Sequence, residues 1–328
     1  MTPSETPSAT LSLDLDNLWA YLRSYGDEEW RTYPSFLHRA VPRFLEATAR
    51  RGLRMTVFVV GRDAEQADHR PLLEAIAAAG HEVGNHSYDH APWLHRHPQD
   101  RIAEDIARAE EAIGFATGQR PSGFRGPAFS LSAAVLDVLN DRGYRYDATT
   151  FPTILGPLAR AYHRATSRLD AEERRRQDGL FGGLREGLRP LNPYRWDLSG
   201  GPLAEVPVTT LPLLRVPVHA TYLNFLADRS PALARAYFRT TLRLCRATRV
   251  SPSFLLHGTD VLGRDDPDVP GFLLGMRRSA VDKMRFLGEL LDDYCRAFRV
   301  GPIGTFVDGF DGLRLPLVEP RFAGAVMS

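Results

Sequence analysis

The 328-residue chain has two cysteines, a single lysine and no long apolar run, and each scarcity excludes something. Cys245 and Cys295 cannot build a disulfide framework and lack the spacing of a metal site, so they are expected as buried apolar residues. Residues 1–10 show no charged segment leading into an apolar one, and no stretch approaches the length of a membrane span. The expectation is a cytoplasmic protein. The formal net charge is only +1 and there is no basic tail, which argues against a nucleic-acid partner. Lys283 is the only lysine, so 40 of the 41 cations are arginine. A GC-rich genome explains that bias without any function. Internal repeats and low-complexity segments are also missing.

The bulk composition, 43% hydrophobic and 25% charged, is that of an ordinary soluble protein. A chain of this length can bury one sizeable core, and residues 1–328 are expected as one domain. Leu11 to Asp16 alternates apolar and polar residues and ends in acids, as a strand delivering carboxylates at its C-terminal end would. A helix is expected over 34–51, a buried strand over 55–60, a helix over 71–79 stopped by Gly80, and a short strand over 81–85. Ile102, Ile106, Ala109 and Ile113 then mark one face of another helix. Strand ends come next at 124–127 and 144–147, with a helix over 132–142 between them.

Such alternation predicts a parallel α/β sheet or barrel, with its active site where the strands finish. The rhythm breaks over about 151–215, a Pro/Gly-punctuated stretch with one charged helical piece at 169–177 and no clean strand. This segment is expected as an insertion over the C-terminal rim. One or two strands are expected over 203–218, a helix over 231–246, a strand over 253–257, a helix over 279–298 and a last strand over 303–307.

The sharpest local signal is His86-Ser-Tyr-Asp-His90. On a helical turn, two histidines four apart project from one side and can share a metal ion. A second cluster, Asp14-Leu-Asp16, lies at a strand end of the same expected sheet. His, His and one carboxylate leave coordination positions open for water and substrate, the mark of a catalytic site. Asp16 serves as the carboxylate ligand in this reading, and Asp14 is left to take a proton from water at the metal. A bound cation lowers the pKa of that water from 15.7 to about 7.

Together these residues resemble the polysaccharide deacetylases, also called NodB-homology or carbohydrate esterase family 4 enzymes. Their motifs occur in family order: a paired aspartate in Asp14-Leu-Asp16, His-Ser/Thr-x-x-His in His86 to His90, Arg-x-Pro in Arg125-Gly-Pro127, and a late Leu-x-x-His-type motif in Leu255-Leu-His257. The resemblance covers about Leu11 to Tyr146 and resumes near Ser253. It implies a distorted parallel β/α barrel, consistent with the alternation above, with the largely helical insertion over its rim.

The resemblance also implies roles. Asp14 would be the general base. Asp16, His86 and His90 would hold one divalent cation, with zinc the default for N/O ligands and cobalt or nickel able to take the same set. His257 would be the general acid for the leaving amine, Arg125 would hold Asp14, and Asp147 would orient His257 or Arg125. A backbone N–H just after Pro127 would bind the oxyanion.

Two departures shape the substrate expectation. The family's usual tyrosine after the Arg-x-Pro motif is Ala128 here, followed by Phe129, and the 151–215 insertion is foreign to compact chitin and peptidoglycan deacetylases. An N-acylated amino sugar, with acetyl the first choice of acyl group, is the expected substrate, in a small molecule, oligosaccharide or lipid-linked precursor. Phe151, Ile154, Leu155, Leu158 and Tyr162, flanked by Arg160, Arg164 and Arg168, suggest an apolar surface for a lipid-linked or peripheral-membrane substrate. Tyr194, Trp196, Trp19 and Trp30 are candidates for sugar stacking. The alternatives are a deformylase or cyclic-amide hydrolase with the same catalytic set, or a carbohydrate-binding relative without catalysis. The sequence leaves the oligomeric state open.

Overall fold

In the computed structural model, which describes residues 6–169, 186–267, 269–310 and 312–322, the strand ending in the paired aspartates is β1 (Ser8–Asp14). Its partners come in the expected alternation: β2 (Thr56–Val59), β3 (Glu82–Asn85), β4 (Gly123–Phe124), β5 (Tyr146–Asp147), β6 (Tyr194–Trp196), β7 (Leu203–Glu205), β8 (Ser253–His257), β9 (Arg299–Gly301) and β10 (Leu317–Val318). They form one sheet in the order β10-β6-β7-β5-β4-β3-β2-β1-β8, with β9 alongside the start of β1. Every pairing is parallel except β6 with β7. The fold is a curled, distorted β/α barrel, as expected.

The helices are α1 (Leu18–Tyr25), α2 (Leu37–Ala49), α3 (Gly61–Ala64), α4 (Arg70–Ala78), α5 (Gln99–Thr117), α6 (Ala133–Asp141), α7 (Gly156–Thr166), α8 (Ala220–Ala227), α9 (Pro231–Thr248), α10 (Ala280–Ala297) and α11 (Ile303–Asp308). Their apolar stripes cover the outer face of the sheet. Leu11, Leu13, Val57, Val59, Phe254 and Leu256 are buried in one cluster with residues such as Phe44, Ile76, Phe238 and Leu290. Burying each large apolar side chain contributes about 1.5–3 kcal/mol. Cys245 lies in this core, whereas Cys295 is only half-buried.

The inner face is unusually polar. Thr56 Oγ1 donates to Glu82 at 2.5 Å, the Tyr146 hydroxyl donates to Glu82 at 3.0 Å, and Arg125 Nη1 donates to Ser12 Oγ at 2.9 Å. This lattice explains one departure from expectation. Residues 303–307, expected as a strand, are helical, because the first-turn N–H groups of Ile303 and Gly304 are taken by Thr56 Oγ1 (2.8 Å) and Glu82 Oε2 (2.9 Å). Helix starts have such unpaired donors to offer, whereas the neighbouring strand β9 already ends at Gly301.

The 151–215 segment is a second departure. The described part contains α7, but also the unexpected β6, which pairs antiparallel with β7, the latter lying within the strand region expected over 203–218; β7 joins the main sheet through β5, and β10 flanks β6 at the edge. Three-residue strands are too short to show periodicity. Between 207 and 218 only an isolated Thr210–Pro217 bridge forms. The expected helical piece at 169–177 falls outside the described residues beyond Leu169. No helix among the described residues is long and apolar enough to cross a membrane.

Candidate active site

Because β1, β3, β4, β5, β7 and β8 run parallel, the residues at their C-terminal ends share one edge of the sheet. Asp14 and Asp16, His86, Arg125, Asp147, Glu205 and His257 all stand there.

Asp16 is fixed by the start of α1. Asn17 caps that helix, its Oδ1 accepting the Leu18 N–H at 2.8 Å, while its Nδ2 donates to the buried Asp63 of α3 at 2.7 Å. Tyr21, one turn into α1, donates its hydroxyl to Asp16 Oδ2 at 3.3 Å. The other oxygen of Asp16, Oδ1, lies 3.1 Å from His86 Nε2 and 3.0 Å from His90 Nε2.

The His86–His90 segment is not the expected helical turn. It is a loop in which Ser87 and His90 take positive φ, 64° and 46°. Asn85 Oδ1 accepts from the Ser87 N–H at 2.8 Å, and Asp105, reaching over from α5, accepts from the Tyr88 and Asp89 N–H groups at 2.8 and 3.2 Å. The loop achieves by side-chain capture the convergence that a helix would have achieved by periodicity.

Whether these residues fit a metal can be tested on their polar atoms. One ligating atom each from Asp16, His86 and His90 lies within 4.8 Å of the others. Asp16 Oδ1 is buried without a properly directed hydrogen bond, despite its closeness to both imidazoles. His86 Nδ1 donates to the Arg125 carbonyl at 2.7 Å, which leaves its Nε2 lone pair facing Asp16. Two imidazole nitrogens and one orphaned carboxylate oxygen form an acceptor-only cluster that a divalent cation would satisfy. Burial would raise the Asp16 pKa, but His90 and His86 outweigh it and hold the carboxyl well below its usual range. Burial likewise opposes a charge on His86, yet Asp14 and Asp16 push its pKa up.

Asp14 is held separately. Arg125 Nη1 donates to Asp14 Oδ1 at 2.8 Å, Arg125 Nε donates to the Ala148 carbonyl at 2.8 Å, and the guanidinium stacks 4.4 Å from the Phe58 ring centroid. Asp14 Oδ2 stays clear of Arg125 and faces His257 Nε2 at 4.0 Å. Just past Arg125, Ala128 and Phe129 both take positive φ, 49° and 61°. The N–H groups of Phe129 and Ser130 turn back to the Gly126 and Pro127 carbonyls. That turn is the expected place for an oxyanion donor, the Ala128 N–H.

Asp147 does not do what was expected of it. It makes no hydrogen bond or ion pair with His257 or Arg125 among the described residues; Thr149 Oγ1 donates to its Oδ1. Its titrating neighbour is Glu205 on the adjacent strand β7, itself bound by the Thr150 N–H at 2.9 Å and by Trp196 Nε1 at 2.8 Å. Burial, and then the Asp147 charge, push the Glu205 pKa well up, while burial also raises that of Asp147. The pair belongs to the scaffold: Thr149 Oγ1 in turn accepts the Gly126 N–H at 2.8 Å.

The sugar-stacking expectation also needs correcting. Trp19, Tyr194 and Trp196 are fully buried core residues, and Trp30 is half-buried with Arg23 and Arg31 stacked on its ring. The aromatic groups near His257 are instead His219, whose ring centroid lies 5.5 Å from that of His257, then Phe151 at 5.7 Å from His219, and Phe129 at 4.6 Å from Phe151. Ile154 and Leu158 are exposed as expected, whereas the side chain of Tyr162 falls outside the described residues. Sequence reasoning missed Asn17, Tyr21, His219, Thr221 and Asp260. Only the first two carried a local signal, lying on the helix that starts immediately after Asp16.

Comparison with known proteins finds a family likeness over part of the chain. Residues 27–146 match the family model described as polysaccharide deacetylase, a span that includes His86, His90 and Arg125. A peptidoglycan deacetylase of Helicobacter pylori is 29% identical over 143 residues, covering 41% of this chain and 46% of that protein. A peptidoglycan-N-acetylglucosamine deacetylase of Bacillus cereus is 30% identical over 86 residues, 26% of this chain and 30% of that protein. The chain thus spans less than half the length of these curated relatives. The crystal structure of a candidate polysaccharide deacetylase from Mycobacterium smegmatis superposes with a TM-score of 0.65 at 17% identity, covering 100% of this chain and 98% of that one, a likeness of fold. Over residues 27–146, the chain is similar to the polysaccharide deacetylase family.

Proposed function

We propose that this protein is a metal-dependent amide hydrolase that removes an acetyl group from the nitrogen of an amino sugar. The observation that carries the reading is the pairing of an acceptor-only Asp16–His86–His90 cluster with a separate Asp14 carboxylate whose free oxygen faces His257. The names of the peptidoglycan deacetylases support an N-acetylated sugar as the substrate class.

Asp16, His86 and His90 would hold the cation, with zinc the first choice for two nitrogens and one oxygen. Bound there, it would supply Lewis acidity and make a water easier to deprotonate. Asp14 Oδ2 takes the proton of the attacking water, while Arg125 occupies Oδ1 and so fixes which oxygen is available. The Ala128 N–H donates to the oxyanion that develops on the amide carbonyl, an interaction of a kind worth about a hundredfold to a thousandfold in rate. His257 Nε2 gives its proton to the leaving nitrogen. Expulsion of a neutral amine completes hydrolysis.

The test is metal content by elemental analysis together with acetate release from N-acetylated glucosamine, its oligomers and peptidoglycan, before and after chelation. About one metal per chain with chelator-sensitive acetate release supports the reading. Formate release from N-formylated sugars in place of acetate would replace it with a deformylase. Metal-free protein that binds these glycans but never turns them over would sink catalysis altogether.

A further inference from the structure

His257 stands at the C-terminal end of β8, and its Nδ1 side is served by residues that no motif marks. Nδ1 lies 2.9 Å from Thr221 Oγ1 on α8, and Thr221 Oγ1 lies 3.2 Å from Asp260 Oδ2. Asp260 itself is 4.0 Å from Nδ1, too far for a direct hydrogen bond. A carboxylate only accepts, so a Thr221 hydroxyl proton directed to Asp260 leaves the hydroxyl oxygen to accept from Nδ1–H. In that arrangement the chain of donors runs one way, from His257 through Thr221 to Asp260.

We propose that Thr221 and Asp260 are positioning residues for His257, a hydroxyl-bridged support that fixes the Nδ1–H tautomer and aims Nε2 at Asp14 and the scissile nitrogen. The proposal rests on the deacetylase reading only for its catalytic consequence. Asp260 is built for holding rather than reacting: it is 1% exposed, and it also accepts the His257 N–H at 2.8 Å and Asn224 Nδ2 at 3.1 Å. The turn that carries it, residues 258–261, is pinned from α10 by Lys283, the only lysine in the chain, whose Nζ donates to the Thr259 carbonyl at 2.7 Å.

The groups facing His257 are few. Asp14 approaches Nε2 from β1, Asp260 lies beyond Thr221, and His219 at the start of α8 packs its ring against that of His257. Burial, with the His257 charge, pushes the His219 pKa down to about 3, so His219 adds no charge near neutral pH. Lys283 stands behind Asp260, its own pKa lowered to about 8 by burial against the pull of Asp260 and Asp228. An imidazolium at position 257 thus has one carboxylate on each side, and the Thr221 bridge connects it to the second.

Thr221→Val removes the bridge but leaves Asp260 its bonds from the His257 N–H and Asn224, and Thr221→Ser restores the bridge. Zinc-loaded protein with nitrogen-15 imidazoles would be read by long-range proton–nitrogen correlation, with His257→Gln assigning the signal. The wild type and Thr221→Ser should show His257 protonated at Nδ1 when neutral; Thr221→Val should move towards the Nε2–H tautomer with a lower pKa. In turnover, Thr221→Val should lose at least about tenfold in kcat with KM little changed, and Thr221→Ser should recover most of it. Because His257 must be protonated to act as the acid, the alkaline limb of the kcat profile should move to lower pH in Thr221→Val. An unchanged tautomer, pKa and alkaline limb in Thr221→Val would overturn the proposal. The expected tautomer shift in a protein that hydrolyses no acylated sugar would uphold the positioning role and overturn the deacetylase reading instead.

Discussion

Arg125 and Asp14 form an ion pair at 2.8 Å in which the arginine side chain is 0% exposed and the aspartate side chain 5%. Removing the cation would strand a buried carboxylate, so Arg125→Leu should cost about 3–5 kcal/mol of stability by urea unfolding. Arg125→Lys keeps the charge but cannot bridge Asp14, Ser12 and the Ala148 carbonyl at once. It should fold, yet lose at least about tenfold in kcat. Wild-type turnover in the lysine variant would show that Asp14 needs no such fixing.

Proton transfer and metal holding are assigned to different carboxylates, so they should separate on mutation. Asp14→Asn is expected to retain metal and lose at least about a hundredfold in turnover. His86→Ala is expected to lose both. Elemental analysis beside an acetate assay checks the pair, and an Asp14→Asn enzyme with near-full activity would remove Asp14 from the role of base.

Metal affinity should depend on pH in a defined direction. The raised pKa of His86 means that protons begin to compete for its Nε2 above the ordinary histidine value of about 6.5. Metal binding measured by competition with a chromogenic chelator should therefore weaken as pH falls from 7.5 towards 6. Metal at a hundredfold excess over its Kd should stabilise the fold by about 2.7 kcal/mol, visible as a chelator-dependent Tm. A pH-independent affinity across that range would argue against histidine ligation.

Acid should also loosen a junction far from the site. Asp293 on α10 receives Arg235 Nε at 2.7 Å and Arg239 Nε at 2.8 Å from α9, and also pairs with Arg296. Burial would raise its pKa, but Arg235, Arg239 and Arg296 together drive it far below the usual aspartate range. A depressed carboxyl contributes stability that is present above its unfolded pKa, about 3.9, and is lost as pH falls below that. Asp293→Asn should cost about 2 kcal/mol at pH 7 and clearly less at pH 2, measured by denaturant unfolding at each pH. An equal cost at both values would show that the arginines act by packing alone.

Elements with a strong period or a clear stop were legible in the sequence. The strand at 253–257 appears with its expected boundaries, and the helix carrying Ile102, Ile106 and Ile113 runs as its apolar stripe demands. Failures occur where a distant partner decides. Residues 303–307 became a helix because Glu82 and Thr56, more than 200 positions earlier, accept its first amides. The His86–His90 loop depends on Asp105, and the support behind His257 depends on Thr221, neither of which any spacing rule connects to its target. Asp147 misled for the opposite reason: its position at a strand end is right, but Glu205, at the end of the adjacent strand, shares its surroundings.

In the β1–β8 ladder, Asp14 is the register partner of His257. The proposed proton acceptor and proton donor therefore occupy one rung of adjacent parallel strands, and their separation is set by backbone hydrogen bonding rather than by any loop. A slip of one residue would turn one of them to the opposite face. Loops at the rim can thus differ in shape without altering the spacing between the proposed proton acceptor and donor, which the sheet itself sets.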